Sequence, residues 1–148
     1  MDSSYLIKLI SIGITIYYIS KSNDRTSNWF AGLLITSLAL TFFGRTDLNA
    51  FFYPIYLLAL GTSLFFVIFR KIKTGEHRNL TIVFLLGILI KGIPQLFHLP
   101  YIWFYHFIAL GAIGIYVYFQ LNKRPTHILA ITSIPVADCI LTLASLIK

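Results

Sequence analysis

Leu80-Thr-Ile-Val-Phe-Leu-Leu-Gly-Ile-Leu-Ile-Lys-Gly-Ile-Pro-Gln-Leu-Phe97 decides how this chain is read. Lys91 is its only charge, and its length falls within the roughly 17 to 25 apolar residues that cross a bilayer's hydrocarbon. Polar or helix-breaking segments bound it: Arg70-Lys-Ile-Lys-Thr-Gly-Glu-His-Arg-Asn79 before it and His98-Leu-Pro100 after it. A buried charge at this depth, close to Pro94, marks the segment as more than a lipid anchor.

The same pattern repeats outward in both directions. Apolar stretches run from Tyr5 to Ser20, Trp29 to Gly44, Phe51 to Phe69, Tyr101 to Leu121 and Ile128 to Ile147. Between them lie Lys21 to Asn28, Gly44 to Asn49 and Asn122 to His127, all polar or containing breakers. Of 148 residues 57% are hydrophobic and 11% charged, against about 25% charged in soluble domains. A soluble core in so short a chain has too little volume to hide that apolar surface. Backbone groups in lipid must be bonded within their own segment, so helices are expected and strands are not. The sequence therefore predicts an all-α fold: a polytopic membrane protein forming a compact bundle of about six transmembrane helices with short loops, one domain over residues 1–148. No small-residue cleavage site follows the first apolar run, so the first helix is expected to stay in the mature protein.

Charge predicts the orientation. Lys21, Arg25, Arg70, Lys71, Lys73, Arg78, Lys123 and Arg124 fall in the first, third and fifth loops, whereas the other side carries Arg45 and Lys148. Positive residues favour the cytoplasmic side, which places both termini away from it. This distribution accounts for the net charge of +7 without nucleic acid. Tyr5, Trp29, Tyr53, Tyr101 and Trp103 sit near segment ends and suit interfacial anchoring. Cys139, the single cysteine, lies in an apolar segment and is read as a small buried side chain.

The polar residues inside the segments fall on shared helix faces. Lys91, Gln95 and His98 are spaced i, i+4, i+7; Ser4, Lys8, Ser11 and Thr15 form a stripe on the first helix; Ser37, Thr41 and Arg45 on the second; Asp138, Thr142 and Ser145 on the sixth. A lysine or aspartate facing lipid costs roughly 2.5 to 3.5 kcal/mol at the centre of the bilayer. Pairing Lys91 with Asp138 removes most of that cost, and the expected site is this pair with Gln95, His106 and Lys8, lining a cavity open to the non-cytoplasmic side. Lys8 also has the alternative of snorkelling to the interface. Pro94 and Pro135 lie near both charges, where freed carbonyls can face a cavity.

His98, His106 and Asp47 fall near one interface and include donor types that bind zinc, although their spacing is not a metal signature. That inventory resembles in kind the alkaline-ceramidase superfamily, and Ser133 to Asp138 resembles the lysoplasmalogenase type. Order, spacing and helix number do not match the first, and neither resemblance covers enough of the chain to assign a family. Phosphate-binding loops, nucleophile elbows and HExxH are absent from the sequence.

Three functions fit these residues. The first is binding or translocating a small solute or ion, with Lys91 as an anion anchor and Asp138 as counter-ion or proton carrier. The second is a membrane enzyme acting on a lipid or isoprenoid, metal-dependent or not, with Asp138 or His106 as acid or base. The third is a scaffold subunit whose polar stripes are helix contacts with a partner or with a second copy of the chain.

Overall fold

A backbone surrounded by apolar side chains must satisfy its N–H and C=O groups locally, and this chain does so as helices. The computed structural model describes residues 3–40, 42, 46–97, 102–122 and 125–145. Among the described residues there are six α-helices and no strand: α1 (Ser3–Lys21), α2 (Arg25–Leu40), α3 (Thr46–Ile68), α4 (Arg78–Leu96), α5 (Ile102–Leu121) and α6 (Thr126–Ala144). A 3-10 turn, Gly75–His77, leads into α4. Gly75–Leu96, Trp103–Leu121 and Thr126–Ala144 are long and apolar enough to cross a membrane, and Tyr53–Ile68 is a shorter apolar stretch. With 16 residues, α2 reaches only about 24 Å.

Two boundaries differ from the sequence reading. Most of the stretch from Lys21 to Asn28, expected to be a loop, is helical, and only residues 22–24 separate α1 from α2. The reason is Asp24, whose Oδ1 accepts the Thr26 N–H (3.0 Å) and whose Oδ2 accepts the Ser27 hydroxyl (2.9 Å). It thereby starts α2 at Arg25 as a side-chain N-cap. The third helix begins at Thr46 instead of Phe51, which puts Asp47 inside α3 and not in the preceding loop; its side chain lies outside the described residues.

The link from α3 to α4 is a docked cap. Arg70 adopts the left-handed region at φ 57°. Its N–H donates to the Val67 carbonyl (3.1 Å) and that of Lys71 to Phe66 (2.8 Å), the paired bonds of a Schellman ending. Ile72 and Thr74 then point into the bundle while Lys71 and Lys73 point out. The Lys73 N–H donates to Asp24 Oδ2 (2.9 Å), so one carboxylate ties the first link to the third.

At the centre stands α6. It packs on α1, α2 and α5 and touches α4, and every residue from Ile128 to Ala137 is buried. Packing of α1 on α2, α2 on α3, α3 on α4 and α4 on α5 closes most of a ring around it. Tyr18 of α1 completes that ring by bonding Gln120 of α5 (2.7 Å from Nε2). Helices far apart in sequence approach closely where their facing residues are small, as at Ser11 and Thr15 of α1, both buried. The ring's outer faces are apolar: Trp29, Leu58, Trp103, Phe107 and Leu121 are each more than two-thirds exposed. Apolar residues inside and outside alike are the pattern of a bundle whose surroundings are not water.

Candidate functional site

The polar residues of α4 and α6 are brought together by the parallel course of the two helices. Lys91, late in α4, and Asp138, late in α6, form a salt bridge with Nζ 2.5 Å from Oδ2. The lysine side chain is 0% exposed and the aspartate 32%. This is an asymmetric pair: an ammonium sealed in the bundle, and a carboxylate that reaches its surface. Among the described residues Asp138 is the hydrogen-bond partner of the ammonium, which has three donors to offer.

The third wall is α3. Tyr53 donates its hydroxyl to Gln95 Oε1 (2.7 Å), so Gln95, expected as a ligand beside Lys91, is engaged by a tyrosine one turn further along α4. Tyr56 stacks against Tyr53 with ring centroids 5.9 Å apart. Its hydroxyl is buried without a hydrogen-bond partner among the described residues, and it lies within electrostatic reach of Asp138. An unmade bond at a buried hydroxyl costs roughly 1 to 3 kcal/mol, which folds tolerate where the group has another task. The approach of α3 to α4 depends on Gly92: a Cβ there would overlap Leu57 and come within 3.3 Å of the Tyr53 hydroxyl.

One turn beyond Asp138, His106 of α5 meets α6 with Nε2 3.1 Å from the Thr142 carbonyl. A carbonyl only accepts, so this nitrogen carries a proton and donates. Thr142 donates in turn to the Asp138 carbonyl (2.9 Å). Lys8 has its Nζ 5.8 Å from the Tyr5 ring centroid and 5.9 Å from that of Phe42, a cation–π arrangement. His98 lies outside the described residues, as do Thr41, Arg45 and the Asp47 side chain. Among the described residues no three histidine, cysteine, aspartate or glutamate side chains converge as metal ligands.

Tyr53 and Tyr56 were not legible as site residues. Tyr53 reads as an interfacial anchor, and Tyr56 is one aromatic among many; their i, i+3 spacing on the helix that passes α4 is the signal that joins them. A second polar chain was also missed, toward the end of the bundle that carries the basic loops. Gln120 donates to Tyr116 (3.1 Å), whose hydroxyl faces Ser133 Oγ at 3.0 Å, and Ser133 donates to the Leu129 carbonyl (2.6 Å). This chain is saturated link by link and joins α1, α5 and α6.

No family model, curated protein or solved structure matches the chain.

Proposed function

We propose that the chain is a six-span membrane protein, with its basic loops cytoplasmic and both termini on the other side, that binds or translocates a small anionic solute at Lys91 and Asp138. The observation that carries this reading is the asymmetry of the pair, a sealed ammonium against a one-third exposed carboxylate. A buried ion pair is a poor device for stability alone, since desolvation of both charges offsets much of their attraction. Inside a membrane bundle such pairs mark ion and substrate paths.

The chemistry follows from the geometry. Protonation of Asp138 from its exposed side removes the counter-ion of Lys91, and the carboxylate or other anion of a solute replaces it. The Tyr56 hydroxyl, without a partner among the described residues, supplies a donor nearby. Solute and proton are then bound together, because neither leaves an uncompensated charge in the bundle. His106, with one nitrogen committed to Thr142, orients α5 against α6 in this scheme.

The test uses purified protein in liposomes carrying an internal pH dye, challenged with a panel of small carboxylates and inorganic phosphate. A solute-dependent internal acidification above that of empty liposomes is expected for at least one of these, and its loss in Asp138→Asn. Rates equal to empty liposomes across the panel, or full activity in Asp138→Asn, would sink the proposal.

A further inference from the structure

The outward face of α2 carries a feature that the Lys91 site does not use. Arg25, Asn28, Trp29, Gly32, Leu33 and Thr36 line an open groove of about 460 Å³ that runs from the basic end of the bundle along the helix. We infer that this groove binds one anionic phospholipid.

Each level of the groove matches one level of such a lipid. Arg25 is exposed at the first turn of α2, where a guanidinium pairs with phosphate through a planar fork. Asn28 uses its Nδ2 to donate to the Ser22 carbonyl (3.2 Å). Its amide is thereby fixed against the first link, leaving Arg25 as the charged group at the groove's polar end. Trp29, 74% exposed, sits where an indole marks the membrane interface. Beyond it the wall is Gly32, Leu33 and Thr36. The Thr36 hydroxyl is turned back onto the Gly32 carbonyl (2.9 Å), so the deep end offers carbon to an acyl chain. From Arg25 to Thr36 the axis runs about 16 Å, close to one leaflet of a hydrocarbon core about 30 Å thick. Lys21, four residues before Arg25, is exposed too, and in the proposed orientation the basic loops face the leaflet rich in anionic lipid. The inference rests on the membrane reading and not on what Lys91 and Asp138 bind.

Trp29 reports on its own groove. The chain has two tryptophans, so Trp103→Phe leaves Trp29 alone, and Trp29→Phe leaves Trp103 as a reference on α5. Each is placed in phosphatidylcholine bilayers containing brominated phosphatidylglycerol or brominated phosphatidylcholine, and fluorescence quenching is read. Trp29 is expected to be half-quenched at about fivefold lower mole fraction of the brominated anionic lipid, as one basic contact at the surface implies. Trp103 should show no such preference. Arg25→Gln should bring the ratio near one, and so should Gly32→Leu, which fills open space because a Cβ at Gly32 meets nothing within 4 Å. Equal quenching by the two lipids, a preference that survives Arg25→Gln, or the same preference at Trp103 would each overturn the assignment. So would weak quenching by either lipid from a dimer that Gly32→Leu dissociates, which would make a second copy of the chain the occupant.

Discussion

Asp24 and Asp138 are both carboxylates held in this bundle, at opposite ends of it, and their surroundings differ in kind. Asp24, 8% exposed, is saturated by fixed donors: the N–H of Thr26, the hydroxyl of Ser27 and the N–H of Lys73. Two of these are backbone groups, which have no freedom to leave. Asp138 is held by one flexible lysine and remains one-third exposed. The first arrangement locks two loops and the start of a helix together. The second leaves a carboxylate with acceptor capacity to spare, facing a cation that can take another anion. A carboxylate surrounded by backbone donors is a structural fastening; one held by a side chain at the edge of exposure is exchangeable.

The comparison breaks most visibly if the pair is cut on one side. Asp138→Leu should destabilise the protein by about 3 to 5 kcal/mol, because it orphans the sealed Lys91 ammonium, read as a lowered midpoint in detergent unfolding. The double variant Lys91→Met with Asp138→Leu should recover most of that loss while showing no solute-dependent acidification. A double variant as unstable as the single one would mean that the pair is a fastening like Asp24.

Asp24→Ala should cost less, about 2 to 3 kcal/mol for lost bonds to a charged acceptor. It should leave any solute response per folded molecule unchanged, because its partners lie in α2 and in the link from α3 to α4. A response that falls faster than the folded fraction would couple the two ends and blur the distinction drawn here. The smallest effect belongs to Arg70, an L-residue in the left-handed region at φ 57°. Arg70→Gly relieves a strain of about 1 kcal/mol, and a slightly raised unfolding midpoint is expected. A lowered midpoint would show that the arginine side chain contributes more at this cap than its backbone strain costs.

Much of the helical outline was legible because its cause is local. Apolar runs interrupted by charge, Gly and Pro set the helices within a few residues, and i, i+4 spacing put Ser11 with Thr15 and Lys91 with Gln95 on common faces. The errors fell where a polar residue serves the backbone. The Lys21 to Asn28 stretch looks like solvated loop by composition, yet Asp24 followed by Thr26 and Ser27 is a helix start. Tyr53 looks like an anchor by position, yet its hydroxyl turns inward to Gln95.

By itself the amino-acid sequence determined that the chain is helical, that at least three of its helices are long and apolar enough to cross a membrane, and which faces of α4 and α6 are polar, since hydropathy and periodicity are properties of neighbours along the chain. Only the tertiary structure decided that α6 stands inside the ring, that α3 contributes two tyrosines beside the Lys91–Asp138 pair, and that Asp24 reaches across to Lys73. Helices apolar all round carry little information about which side to bury. Their arrangement is settled by close packing and by a few polar contacts between residues far apart in the chain.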